Sequence, residues 1–198
     1  EKVLKPYLLK SGAGCLDLAA ATHQHTDHYL GLQQLSRCFP VKAALLEGKA
    51  GQRIDLGKDQ WIDILWPESR DLNTEDENLN SLIFKVYSEG TTALITGDIT
   101  EEGEKMLIDK YNGTDALKAD ILKVAHHGSP YSTCDAFLQA VKPSVAVISV
   151  GKNNYGHPDE KLVEKIQSCG IMVYRTDRDG AVGIITERSG LSVCTKKQ

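Results

Sequence analysis

A layered α/β domain, with helices covering sheets, is the fold class that this 198-residue sequence predicts, and three observations carry it. Strand-like apolar runs recur along the whole chain, from LDLAAATH near its start to LSVCT near its end. Helical stripes are interspersed among them rather than gathered at one end. Several of the runs, SVAVISV above all, have the composition of strands buried on both faces.

Residues 2–10 (KVLKPYLLK) put Val3, Leu4, Tyr7 and Leu8 at helical spacing, with Gly12 and Gly14 as the stop. LDLAAATH reads as a buried strand. HYLGLQQLSRCF carries a helical stripe of Leu32, Leu35 and Phe39 and ends at Pro40. Strand-like runs follow at VKAALL, QRIDL and WIDILWP, and the acidic, turn-rich PESRDLNTEDENLN reads as a surface loop. SLIFKVYS and TTALITGD are two strands joined by a turn at Glu89-Gly90. Thr100 can cap the helix EEGEKMLIDKY, whose first turn is acidic as the helix dipole favours, and Asn112-Gly113 stops it. After the strand DILKVA, Ser132 and Asp135 form a capping-box-like start to a helix carrying Phe137, Leu138 and Val141, closed by Pro143. Beyond SVAVISV, Pro158 stands where a first helical residue belongs, ahead of Leu162, Val163 and Ile166, with Gly170 past the end. IMVYR, AVGIITE and LSVCT finish the chain as short strands. No repeat, low-complexity tract or linker interrupts this pattern, so residues 1–198 read as a single domain.

With 41% hydrophobic residues, the chain is long enough for a sizeable core. No apolar run approaches the ~20 residues of a membrane span, and no signal-peptide pattern opens the sequence. The helix-like opening predicts a fragment of something longer. A net charge of −4 argues against bulk electrostatic coating of nucleic acid, though not against a local basic rim. The five cysteines are scattered and odd in number, which argues against a disulfide framework or a zinc knuckle.

Five of the six histidines are clustered. His23, His25 and His28 lie in THQHTDH around Asp27; His126 and His127 are adjacent in AHHGS; His157 lies in NNYGHP. Each group follows a strand-like run, where side chains can converge on one sheet edge. Imidazoles and carboxylates are the usual ligands of zinc, manganese and iron. If Thr22 to Thr26 is extended, His23 and His25 share a face, while Asp27 and His28 fall on the turn into the helix and point to an adjacent site. One segment can thus serve two neighbouring metals. Asp98, at the end of TTALITGD, can bridge two cations about 3.5–4 Å apart. Taken alone, it is more readily a helix-capping or turn aspartate; beside a complete H-x-H-x-D-H the bridging role is the better reading. AHHGS offers a further ligand or a general acid, and its Gly128 and Ser129 can approach a phosphate.

H-x-H-x-D-H after a strand, Gly-Asp before a helix and His-His-Gly-Ser together resemble the metallo-β-lactamase fold of hydrolases. LKVAHHGSPYST, VKPSVAVISVGKNNYGHP and VYRTDRDGAVGI, in that order, more specifically resemble the C-terminal metallo-β-lactamase-like domain of the ComEC family, membrane channels for DNA uptake in natural competence. The resemblance implies a four-layer αββα fold with a dinuclear metal site between the sheet edges. It also implies that the family's first strands, which lie upstream of the first helix, are not in this chain. By the same resemblance, His23, His25, Asp27 and His28 match the metal motif, and Asp98 matches the bridging aspartate. His126 matches the remaining histidine ligand, with His157 as the alternative. Where many superfamily members have another histidine, this chain has ENLNS, with Asn78 or Asn80 in its place.

The function so implied is that of a metal-dependent DNA nuclease that degrades the strand not taken up. It would use two divalent metals, manganese preferred and zinc admissible. Asp27, His127 and His157 are the candidate catalytic groups, and Ser129, Lys152 and Arg175 the candidates for substrate phosphate. DNA, the rest of the channel polypeptide and other competence proteins are the implied partners, and the implied location is outside the cytoplasmic membrane. Three other readings use the same residues: a small-molecule hydrolase of the superfamily, a DNA-guiding module without catalysis, and a structural metal domain without turnover.

Overall fold

The structure, a computed structural model, describes residues 3–69, 76–187 and 190–196. Its centre is a seven-stranded mixed sheet in the order β3 (Arg53–Gly57), β4 (Gln60–Trp66), β5 (Ile83–Ser88), β6 (Thr91–Ile95), β7 (Ile121–Lys123), β8 (Val145–Ile148) and β9 (Met172–Arg175). The first four strands meander antiparallel, and β6 to β9 run parallel. Parallel neighbours need crossovers, and these are the helices α3 (Glu101–Lys110), α4 (Asp135–Val141) and α5 (Glu160–Ser168). The fully buried Leu94, Leu122 and Ala146 face one another across β6, β7 and β8 in register. That burial explains why these strands read as continuous apolar runs.

A second, two-stranded parallel sheet pairs β1 (Leu16–Ala20) with β2 (Val41–Leu45), linked by α2 (Thr26–Cys38) and preceded by α1 (Leu4–Lys10). Three apolar clusters show the layering. Leu18 and Leu45 of the small sheet meet Ile62, Ile64, Phe84 and Ile95 of the large one. On the outer side of the small sheet, Leu8, Leu35 and Phe39 bring α1 and α2 against Leu16. On the far face of the large sheet, Leu107, Phe137, Val141, Val163 and Ile166 from α3, α4 and α5 cover Leu94, Leu122 and Ala146. Helices, small sheet, large sheet, helices: this is the four-layer αββα arrangement. The hairpin of β10 (Ala181–Glu187) and β11 (Gly190–Lys196) touches the large sheet through Thr91 and Thr186, whose hydroxyls are 2.6 Å apart.

Three helix starts differ from the sequence reading. Pro158 is not the first residue of α5; Asp159 is its cap, accepting the Leu162 amide at 2.9 Å. Thr100 stands at the N-cap of α3 without a side-chain bond. At α4 the Ser132 hydroxyl bonds back to the carbonyls of Ala125 and Ser129, and the buried Glu104 carboxylate of α3 takes the amides of Thr133 and Cys134 instead. A carboxylate satisfies two orphan amides where a hydroxyl takes one, which is why the distant residue prevails. A helical turn α6 (Thr176–Asp179) and a 3₁₀ turn at Glu77–Asn80 went unanticipated. Of the acidic loop expected over residues 67–80, residues 70–75 lie outside the described residues. Among the described residues, no helix is long and apolar enough to cross a membrane.

Candidate metal centre

Parallel strands end on one edge of their sheet, so the segments that follow them meet there. Asp98 follows β6, the turn Ala125–Gly128 follows β7, and residues 149–157 follow β8. The loop after β1 is drawn to the same edge by the Leu82 amide, which bonds the Thr22 carbonyl at 2.6 Å. Gly97 lies at this junction with φ +54°, and a Cβ there would stand 2.9–3.0 Å from Ser81 and Thr22 side-chain atoms. The Gly-Asp pair is therefore set by close approach as well as by a turn.

Thr22 to His25 bend rather than continue as a strand, and α2 begins at Thr26. His23 and His25 still converge, with His23 Nε2 3.0 Å from His25 Nδ1. Asp27 and His28 occupy the first turn of α2 and face a neighbouring space. There Asp27, His28, Asp98 and His127 bring one ligand atom each to within 4.8 Å of one another. Asp98 Oδ2 stands between the two halves, 3.9 Å from His23 Nε2, 3.2 Å from His28 Nε2 and 3.5 Å from His127 Nε2.

The protonation pattern follows from the partners. The Ser149 carbonyl can only accept, so His127 Nδ1, 2.7 Å away, must donate, and the neutral ring presents its Nε2 lone pair to the cluster. The Thr22 hydroxyl touches Nδ1 of both His23 and His28, at 3.0 and 3.2 Å. Burial, together with repulsion from His28, pushes the His23 pKa down to about 4, so this imidazole is neutral at neutral pH. Burial alone would raise the Asp98 carboxyl. The hydrogen bond from His28 and the charge of Lys123 outweigh it and hold Asp98 well below the ordinary carboxylate range. Its Oδ1 is buried without a hydrogen-bond partner, 3.6 Å from the Lys123 ammonium. Imidazole nitrogens converging on an ionised carboxylate make a donor set that fits divalent metal.

The structure separates the adjacent histidines of the HHGS segment. His126 and His127 both have left-handed backbone, at φ +47° and +53°, which splays their rings apart. His127, expected as a general acid, lies in the cluster. His126, expected as a ligand, turns towards His157, ring centroids 5.8 Å apart, and each of the two has a buried Nδ1 without a partner. Of the residues expected at phosphate, Lys152 is exposed on the loop after β8. Ser129 is buried, and its hydroxyl accepts the Tyr131 amide at 3.3 Å. Arg175 is buried in ion pairs with Asp177 and Glu160, both at 2.9 Å, because α6 folds Asp177 back onto it and the start of α5 brings Glu160. Sequence reasoning missed Thr22, Glu77, which lies 3.2 Å from His25, and Lys123, which also donates to the Gly97 carbonyl at 2.8 Å. A lysine inside the apolar run DILKVA was the readable signal for the last.

The family model described as the metallo-beta-lactamase superfamily matches residues 5–152. The chain belongs to the metallo-β-lactamase superfamily. This superfamily is one of metal-dependent hydrolases whose fold binds divalent metals, commonly two. Among its relatives, ComE operon protein 3 of Bacillus subtilis is 34% identical, covering 92% of this chain and 26% of that protein. Competence protein ComA of Neisseria gonorrhoeae is 32% identical over 94% of this chain and 28% of that protein. These relatives bear out the resemblance to the ComEC family drawn from the motifs. The chain spans about a quarter of the length of the curated relatives it matches. In fold it is similar to CmlA, a diiron β-hydroxylase of Streptomyces venezuelae, with a TM-score of 0.56 at 11% identity over 92% of this chain and 45% of that one. A protein of Parabacteroides distasonis described as a metal-dependent hydrolase gives 0.51 at 16% identity over 81% and 76%.

Proposed function

We propose that this metallo-β-lactamase domain is a DNA phosphodiesterase that degrades the non-transforming strand during uptake, as part of a larger membrane channel protein and outside the cytoplasmic membrane. The observation that carries the reading is Asp98 Oδ2, placed within 4 Å of imidazole nitrogens from both halves of the H-x-H-x-D-H motif and from His127. The names of the relatives, competence proteins and, in Haemophilus influenzae, Recombination protein 2, supply the DNA.

His23 and His25 on one side, with Asp27, His28 and His127 on the other, would hold two divalent ions about Asp98. Manganese is preferred and zinc admissible for such a nitrogen–oxygen set without thiolate. When bound, these metals polarise a phosphoryl oxygen and lower the pKa of water towards neutrality. The Asp27 carboxylate, exposed at the mouth and 3.4 Å from His127 Nε2, orients the attacking water and takes up its proton. His157, beside the cluster rather than in it, delivers a proton to the leaving oxygen. Lys152, exposed on the same loop as His157, pairs with the nucleic-acid backbone.

The test is cleavage of end-labelled DNA by chelated protein to which manganese, zinc or magnesium is restored. Metal-dependent cleavage that Asp98→Ala abolishes, with lowered metal content, is expected. Full metal content in Asp98→Ala would remove the bridging role. Silence of the metal-loaded, full-length protein would end the nuclease reading.

A further inference from the structure

Two loops adjoin the histidine cluster at the sheet edge: residues 129–134 after the Ala125–Gly128 turn, and residues 149–157 after β8. Among the described residues, the two most exposed large apolar side chains lie one on each, Tyr131 at 75% and Tyr155 at 85%. A single exposed tyrosine needs no explanation. Two of them, on the two loops that flank His126 and His157, do.

Neither loop is slack. The Asn153 side chain closes residues 151–157 on themselves, donating to the carbonyls of Gly151 and His157 at 2.9 and 2.8 Å. Its oxygen accepts the amides of Tyr155 and His157 at 3.0 and 3.2 Å. The end of this loop is tied to the histidine turn, where the Asp159 amide bonds the Gly128 carbonyl at 2.8 Å. Tyr131 is held by backbone on both sides, its amide on the Ser129 hydroxyl and its carbonyl on the Glu101 amide at 2.9 Å. The pinned backbone sets the Tyr155 ring against that of His157, 6.2 Å between centroids and 25° between planes, and leaves the rest of the ring in water. Such a ring binds a planar partner without an ordering cost for the loop that carries it.

We propose that Tyr155, with Tyr131 on the neighbouring loop, forms a stacking rim for unpaired nucleobases, so that the site takes single-stranded nucleic acid in preference to duplex. The inference rests on the nucleic-acid reading above and names its substrate form. Bases in a duplex have both faces covered by their neighbours, whereas an unpaired base offers a face to an aromatic ring whatever its identity. Lys152 on the same loop attracts the backbone of either form and does not discriminate. Arginine and lysine neighbours are absent from the sequence around Tyr131, so the signal is geometric: the two tyrosines are 24 positions apart, and their loops are joined through the Asp159 amide and the Gly128 carbonyl.

The test is equilibrium binding of manganese-loaded protein to three labelled probes of about a dozen nucleotides. These are a single strand, its abasic counterpart with the same phosphates, and its duplex, each with phosphorothioate linkages to suppress cleavage. Wild type is expected to bind the single strand more tightly than either other probe. Tyr155→Ala should weaken single-strand binding about tenfold while changing abasic and duplex binding little, and Tyr155→Trp should restore it. Combining Tyr131→Ala with Tyr155→Ala should erase the preference. Equal losses on the single and abasic strands would overturn the rim, as would a Tyr155→Ala variant indistinguishable from wild type. Wild-type protein that binds none of the probes would overturn the nucleic-acid reading itself. Normal binding with unchanged preference in the variants would overturn the rim alone.

Discussion

The Thr22 hydroxyl touches two imidazoles and has one proton to give, so it donates to one Nδ1 and accepts from the other. The ring that donates to it is thereby committed to presenting Nε2 as a lone pair to metal. Thr22→Val keeps the shape and removes this control, and should weaken metal binding roughly 10–100-fold by calorimetric titration. The neighbouring His126 and His127 give a sharper contrast. His127→Ala should lose metal on elemental analysis, since its Nε2 faces Asp27 and Asp98. His126→Ala should keep its metal. The reverse outcome would return His126 to the ligand shell. Gly128 closes the same turn at φ +82°, and a Cβ there would lie 2.5 Å from Pro158 Cβ. Gly128→Ala should therefore cost at least about 2 kcal/mol in urea denaturation, from backbone strain and the forced shift of Pro158 together.

The link between α3 and α4 sets where the histidine turn can go, because residues 129–134 run directly from it to the start of α4. Glu104 anchors that start from inside the core. Burial raises its carboxyl to about 7, against the lowering effect of the Cys134 and Thr133 amides it accepts. The folded protein thus binds this proton more tightly than the unfolded chain does. Stability should be highest below about pH 4.5, fall as pH rises through about 7, and be level beyond, by on the order of 3 kcal/mol for this group. Glu104→Gln should flatten that slope in denaturation series across the window. A slope unchanged in the variant would assign it to other groups.

The four layers hold the centre together from separate elements: the loop after β1, the first turn of α2, the end of β6 and the turn after β7. Metal bound there would clamp the small sheet to the large one and favour the folded state by mass action, by about 2.7 kcal/mol at a hundredfold excess over Kd. For a chain of this size that corresponds to a rise of roughly 5–10 °C in Tm on loading. The rise should disappear in Asp98→Ala. A Tm indifferent to chelation in the wild type would mean that the centre does not bind metal tightly in the folded protein.

Local patterns in the sequence determined a good deal: the apolar strand runs, the helix stripes ending at Pro40, Asn112-Gly113 and Gly170, and the H-x-H-x-D-H ligand candidates. These depend on residues a few positions apart, where spacing fixes which side chains share a face. What depends on long-range approach was decided only by the tertiary structure. A left-handed turn chose His127 over its neighbour for the cluster, since two adjacent histidines are equivalent until backbone angles splay them. Acids in α6 and at the start of α5 withdrew Arg175 from the surface, and a buried glutamate twenty-eight positions away displaced Ser132 as the helix cap. The loops of Tyr131 and Tyr155 lie together because parallel strands end on the same edge, a property of the sheet that no single segment carries.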